Sequence, residues 1–209
     1  MVIAANLGFP RIGARRELKT AVEAYWKGTL PEADLLAEGA RLRTRHWQNQ
    51  QDAGITVIPS NDFSFYDQVL DTTALLGAVP PRFGPVAERV SLPQYFAMAR
   101  GTQDAQAMEM TKWFDTNYHY IVPEFTNGQT FRLSSLKPVE AFLEAKAQGI
   151  HTRPVLLGPV SWLSLGKAKD AGLDPLAFLP AILPIYAEIL TRLAAAGADW
   201  VQIDEPGLG

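Results

Sequence analysis

The chain has 209 residues, 47% of them hydrophobic and 20% charged, with a formal net charge of −3. That balance suits a globular domain with a sizeable core; the slight acidity and lack of basic runs exclude broad nucleic-acid binding, and no apolar stretch reads as a bilayer span. Cysteine is absent, so no disulfide framework and no thiolate ligand or nucleophile is available, and without a signal-length apolar region at its start the sequence reads as cytoplasmic.

Residues 2–7 read as a short buried strand, closed by Gly8 and Pro10. Helical spacing follows over 16–26 and, longer, over 31–51, where Leu35, Leu36, Leu42 and Trp47 are the expected buried positions. Residues 55–58 form a second strand ending at Pro59, and 65–76 a third helix with Tyr66, Val69 and Leu70 on one side. Residues 77–101, rich in Pro and Gly, are expected to be an irregular loop over one face of a sheet. Further strands are expected at 118–122, 154–157 and 200–203, each apolar enough to be buried on both faces. Helices at 137–148 and 176–196 end near Gly149 and Gly197, and Pro184 predicts a kink or restart in the last one. Strands alternating with helices argue for a parallel α/β sheet.

Three segments carry candidate chemistry. The first, from Gly8 to Lys19, follows a strand and opens a helix, which is where ligand-binding loops of parallel α/β folds lie. Arg15, Arg16 and Lys19 can share a helix face there and hold an anion, or form a solvated basic face paired with Glu17 and Glu23. The second, from Glu109 to Tyr120, interleaves Lys112, Asp115, Asn117 and His119 with aromatics; it reads either as the wall of a small-molecule pocket or as a core strand. The third, Asp204-Glu205 at the end of the last strand, is either a rim pair facing a ligand or a loop-fixing acidic pair. His46, His119 and His151 have no metal-ligand spacing, and no phosphate-binding glycine motif is present.

The runs Asn6-Leu7-Gly8-Phe9-Pro10-Arg11-Ile12-Gly13, Arg15-Arg16-Glu17-Leu18-Lys19, Tyr25-Trp26-Lys27-Gly28 and Asp62-Phe63-Ser64-Phe65-Tyr66-Asp67 are similar to the start of cobalamin-independent methionine synthases. So are the stretch from Glu109 to Glu124, the stretch from Pro154 to Leu163, and Trp200-Val201-Gln202-Ile203-Asp204-Glu205-Pro206, in the same order along the chain. The resemblance implies a TIM-barrel (βα)8 fold, of which residues 1–209 are the first four to five βα units of the amino-terminal barrel, with the carboxy-terminal catalytic domain absent. It implies an enzyme that moves the methyl group of 5-methyltetrahydropteroyltri-L-glutamate to L-homocysteine without cobalamin. Zinc activates the thiol in the parent enzyme, through ligands not in this chain.

By that resemblance, Arg16, Glu17, Leu18, Lys19 and Lys112 bind the folate polyglutamate, while no catalytic residue or metal ligand falls here. The expected partners are 5-methyltetrahydrofolate polyglutamate and, only through the missing half, homocysteine, with neither nucleic acid nor membrane. A free-standing barrel enzyme acting on a small acid, and a folate-binding or assembly module without catalysis, are the alternatives.

Overall fold

The computed structural model describes residues 3–208. Two helices come first, α1 (Glu17–Trp26) and α2 (Glu32–Asp52), and lead into β1 (Ile58–Ser60). A long excursion follows, comprising α3 (Gln68–Leu75), α4 (Leu92–Arg100), β2 (Met110–Lys112), β3 (His119–Ile121) and β4 (Glu124–Phe125). The chain then runs through α5 (Lys137–Ala147), β5 (Thr152–Leu157), α6 (Pro159–Ser164), β6 (Lys167–Ala168), α7 (Leu179–Ala196) and β7 (Gln202–Asp204).

The central sheet is parallel, in the order β1–β5–β7, so its strands are neighbours in the order in which the chain makes them. Ala5 adds a parallel bridge to Val57 on the outer side of β1. That bridge is what the described residues show of the strand expected at 2–7; Met1 and Val2 lie outside them. Along β5, Thr152, Pro154 and Leu156 are buried while Arg153 and Val155 are half-buried. The alternation means that helices cover one face of the sheet and leave the other partly open. On the covered face, Leu156 packs with Phe142 of α5 and with Ile189 and Leu193 of α7. The expectation of strands buried on both faces therefore holds for β1, where Ile58, Pro59 and Ser60 are all buried, but not along β5 or at β7, where Ile203 is exposed.

The segment 118–122 is not a strand of this sheet. Residues of β3 pair antiparallel with β2, and β4 pairs with β6. Its composition misleads because Tyr120, Ile121, Val122 and Phe125 are as buried as any sheet residue. Tyr120, Val122 and Phe125 are covered by Val69 of α3 and by Trp162, and Ile121 by the cluster that holds Leu70 and Met108; apolar periodicity does not report which neighbour does the covering. The loop expected at 77–101 contains α4, whose ends are set by Ser91, accepting the N–H of Gln94 at 3.3 Å, and by Gly101. α3 begins later than its pattern suggests because Asp67 caps it, its Oδ1 accepting the N–H groups of Val69 and Leu70, each at 2.8 Å.

α7 runs through Pro184 without a break. Pro184 is exposed, while Ile182, Ile185, Tyr186, Ile189 and Leu193 on the opposite side are buried and hold the helix in register. By length and composition, Pro175–Ala196 is long and apolar enough to cross a membrane, a length that the apolar runs of the sequence did not suggest. Its Glu188 and Arg192 pair one turn apart on the outer side at 2.7 Å, and its inner side is a core surface.

Candidate functional site

The Gly8–Ile12 loop is fastened to the loop after β1: the Phe9 N–H donates to Asp62 Oδ2 at 2.8 Å, and Arg11 Nη1 donates to the Ser64 carbonyl at 3.2 Å. Phe9 also stacks on His46, 4.7 Å between ring centroids. Burial, with Arg45 alongside, pushes the His46 imidazole down to about 4, so it is a neutral packing group near pH 7.

Glu17 opens α1 next to Arg16, which adopts a left-handed backbone (φ 62°). The Glu17 carboxylate accepts from Arg45 Nη1 and from the Arg15 N–H, both at 2.8 Å. The Arg45 hydrogen bond, aided by backbone N–H groups, lowers the Glu17 pKa to about 2. Glu17 is thus committed to Arg45 and not to the neighbouring cations. Leu18 is 1% exposed and packs with Val22, Leu35 and Leu42, anchoring the first turn. Arg15, Arg16 and Lys19 are exposed and Lys19 pairs with Glu23 at 3.5 Å, as the solvated-face reading expects, whereas Glu17 pairs with Arg45 instead.

Opposite α1 stands the β2–β3 hairpin. It is closed by the Trp113 N–H donating to the Tyr118 carbonyl at 2.7 Å, with Phe114 at φ 47° in the turn. Lys112 lies in register with His119, and both are exposed. The hairpin is tied to the domain from below, where the Ile121 N–H donates to Asp67 Oδ2 at 3.0 Å. Burial raises Asp67 to about 7, against the opposing pull of the N–H groups of Leu70 and Ile121.

Between α1 and the hairpin lies a cleft of about 340 Å³, walled by Arg11, Lys19, Trp26, Tyr66, Tyr118 and His119. Of the five residues expected to bind ligand, Leu18 and Lys19 line it; Arg16, Glu17 and Lys112 sit on the elements that form it without lining it. Among the described residues, Arg11, Arg16 and Lys112 have no carboxylate within 4.0 Å. On the other side of the Gly8–Pro10 loop is a second cleft of about 330 Å³, reached by Asn61, Asp71, Lys137 and Asp204. Its one cation among the described residues is engaged within it: Lys137 Nζ reaches Asn61 Oδ1 at 2.7 Å and Asp71 at 3.0 Å, and Asp71 also accepts from Ser64 and Tyr95. The largest cavity, about 1290 Å³, is lined by a different set of residues. There the buried Glu124 is held bidentately by Arg82, at 2.6 and 2.8 Å, with Lys169 at 3.5 Å.

The rim pair divides its tasks. Glu205 accepts the N–H groups of Val160 and Ser161 at 3.1 and 2.7 Å and so fixes the start of α6, whereas Asp204 reaches the second cleft. Among the described residues no three His, Asp or Glu side chains stand together as a metal site, so the donors present do not fit a zinc centre. Sequence reasoning passed over Arg11 and Asp67 as site residues, although both lie inside the quoted runs; neither has a spacing that signals its role.

This is a parallel α/β protein whose candidate ligand cleft is built from α1 and the loop before it, the loop after β1 and an inserted hairpin. The chain belongs to the family described as "Cobalamin-independent synthase, N-terminal domain", whose model matches residues 3–209. It is 59% identical over 222 residues to the 5-methyltetrahydropteroyltriglutamate–homocysteine methyltransferase of Mesorhizobium japonicum, covering 98% of this chain and 29% of that protein. It is 57% identical to the enzyme of the same name from Salinibacter ruber, covering 100% of this chain and 28% of that protein. The chain therefore spans less than a third of the length of these relatives. A solved B12-independent methionine synthase from Shewanella sp. W3-18-1, in complex with selenomethionine, superimposes with a TM-score of 0.59 at 20% identity, over 85% of this chain and 44% of that one. At that identity the likeness concerns the fold.

Proposed function

We propose that residues 1–209 are the first part of the amino-terminal (βα)8 barrel of a methionine synthase, and that they help bind the tail of 5-methyltetrahydropteroyltri-L-glutamate. The whole enzyme would transfer the methyl group of that folate to L-homocysteine, giving L-methionine, in the cytoplasm. Parallel strands that neighbour one another in chain order, helices on one face and a partly open second face support the barrel reading.

The observation that carries the binding reading is the pairing of α1 with the hairpin across one cleft, with Arg16, Lys19 and Lys112 on the facing elements and Glu17 withdrawn by Arg45. A triglutamate tail is a row of carboxylates. Cations without counter-ions suit it, and the exposed Lys19–Glu23 pair is weak enough to be displaced. Glu17 and Leu18 serve by holding the first turn in place. By the same family resemblance, methyl transfer, the zinc of the whole enzyme and the homocysteine site are assigned to the part of the relatives that this chain does not cover.

Calorimetric titration with 5-methyltetrahydrofolate triglutamate and monoglutamate, at low and high salt, tests the reading. Salt-sensitive preference for the triglutamate is expected; equal affinity for both ligands, or no binding, would overturn it.

A further inference from the structure

Arg11 lies outside the set of residues assigned above to the tail. It is half-buried on the wall of the 340 Å³ cleft, faces Lys19 and Trp26 there, and is held from behind by the Ser64 carbonyl at 3.2 Å. Among the described residues no carboxylate comes within 4.0 Å of it. Asp67 and Asp71, the carboxylates that follow Ser64 in the chain, are otherwise engaged: Asp71 is held by Lys137, Ser64 and Tyr95, and Asp67 by three backbone N–H groups.

A guanidinium removed from bulk water normally has an anion to offset its desolvation. Here one nitrogen is spent on a backbone carbonyl, which fixes the plane of the fork and leaves further N–H donors to point elsewhere. Tyr118 lines the same cleft. Cation, phenol and an indole wall together make a receptor for a carboxylate carried on a partly apolar chain.

We infer that Arg11, backed by Ser64 and flanked by Tyr118, binds a carboxylate of the ligand tail inside the α1–hairpin cleft, as the most deeply set of its cations. The inference rests on the reading of the cleft as a tail site and adds to it a specific contact. Arg16, Lys19 and Lys112 are exposed and act mainly through a screened field, whereas Arg11 offers a half-buried fork oriented by the Ser64 carbonyl.

The test is calorimetric titration of the protein with N-acetyl-tri-γ-L-glutamate, free of any pteridine, and with its neutral tetraamide, in which all four carboxylates are capped. Wild type should take up the triglutamate and not the tetraamide. Arg11→Gln should weaken triglutamate binding about tenfold or more, the loss typical of a charge-assisted contact. Arg192→Gln, which removes the same charge from the outer side of α7, should leave it within about twofold, as expected for a distant surface charge. Arg11→Lys, which keeps the charge but not the fork, should fall between.

Equal binding by Arg11→Gln and wild type would overturn the inference. If Arg16→Ala and Lys112→Ala still weaken binding in that case, the tail reading stands without Arg11. If none of the three does, or if wild type takes up no triglutamate, both fall. Should Arg11→Gln not fold, as judged by circular dichroism, Arg11→Lys decides, and its equality with wild type would sink the proposal.

Discussion

The carboxylate of Asp67 accepts the backbone N–H of Ile121 at 3.0 Å, joining the start of α3 to the last residue of β3. The other carboxylate oxygen caps α3 through Val69 and Leu70. One buried side chain, 1% exposed, therefore sets both where a helix begins and where the hairpin that carries Lys112 stands.

Asp67→Asn should destabilise the fold by about 1–3 kcal/mol, since the amide oxygen can keep the cap but the amide N–H then meets the Ile121 N–H. Urea unfolding measures this directly, and an unchanged midpoint would show that the Ile121 bond contributes nothing. The sign of the pH dependence follows from burial, which raises Asp67 from 3.8 to about 7. Between those values the folded chain holds a proton that the unfolded chain releases. The contribution of Asp67 is therefore full below about 4 and lost as pH rises through about 7. Subtracting Asp67→Asn from wild type across that window should isolate the slope.

Glu17 has the opposite sign. Its pKa is depressed from 4.5 to about 2 by Arg45 and by backbone N–H groups, so its contribution is present above the unfolded value and lost as pH falls toward 2. Glu17→Gln should be less stable than wild type at pH 7, and the difference should shrink steadily on acidification. A difference independent of pH would mean that packing, and not the ion pair, is what Glu17 supplies.

Lys112→Ala and Arg16→Ala should each weaken binding of the folate triglutamate several-fold more than that of the monoglutamate, and more at low salt than at high salt. Equal loss for both ligands would show that these cations do not read the tail.

Gly158 has an ordinary backbone (φ −73°), yet a Cβ there would run into the Glu205 side chain that holds the start of α6. Gly158→Ala should cost about 1–3 kcal/mol by overpacking. In a Glu205→Ala background the same substitution should cost much less, because the obstructing carboxylate is gone. Additive effects in thermal or urea unfolding would refute that contact.

The sequence by itself determined α1, α2, α3, α5 and α7, whose apolar spacing marks one buried side, but not α4 or α6; it also determined the family, through long runs of residues in a fixed order. It also located the α1 segment and the hairpin as carriers of cations. Tertiary structure decided what the strands do. Residues 118–122 are as apolar as a sheet strand, and only their pairing with β2 places them in a hairpin.

The same holds for charge. Glu17 is adjacent to Arg16 in sequence but is neutralised by Arg45, and Arg11 differs from the exposed Arg15 in being half-buried on a cleft wall and tied to the Ser64 carbonyl. Spacing along a chain reports which side of a helix or strand a residue occupies. Which cation is left without a counter-ion depends on contacts between residues distant in sequence, and those exist only once the chain has folded.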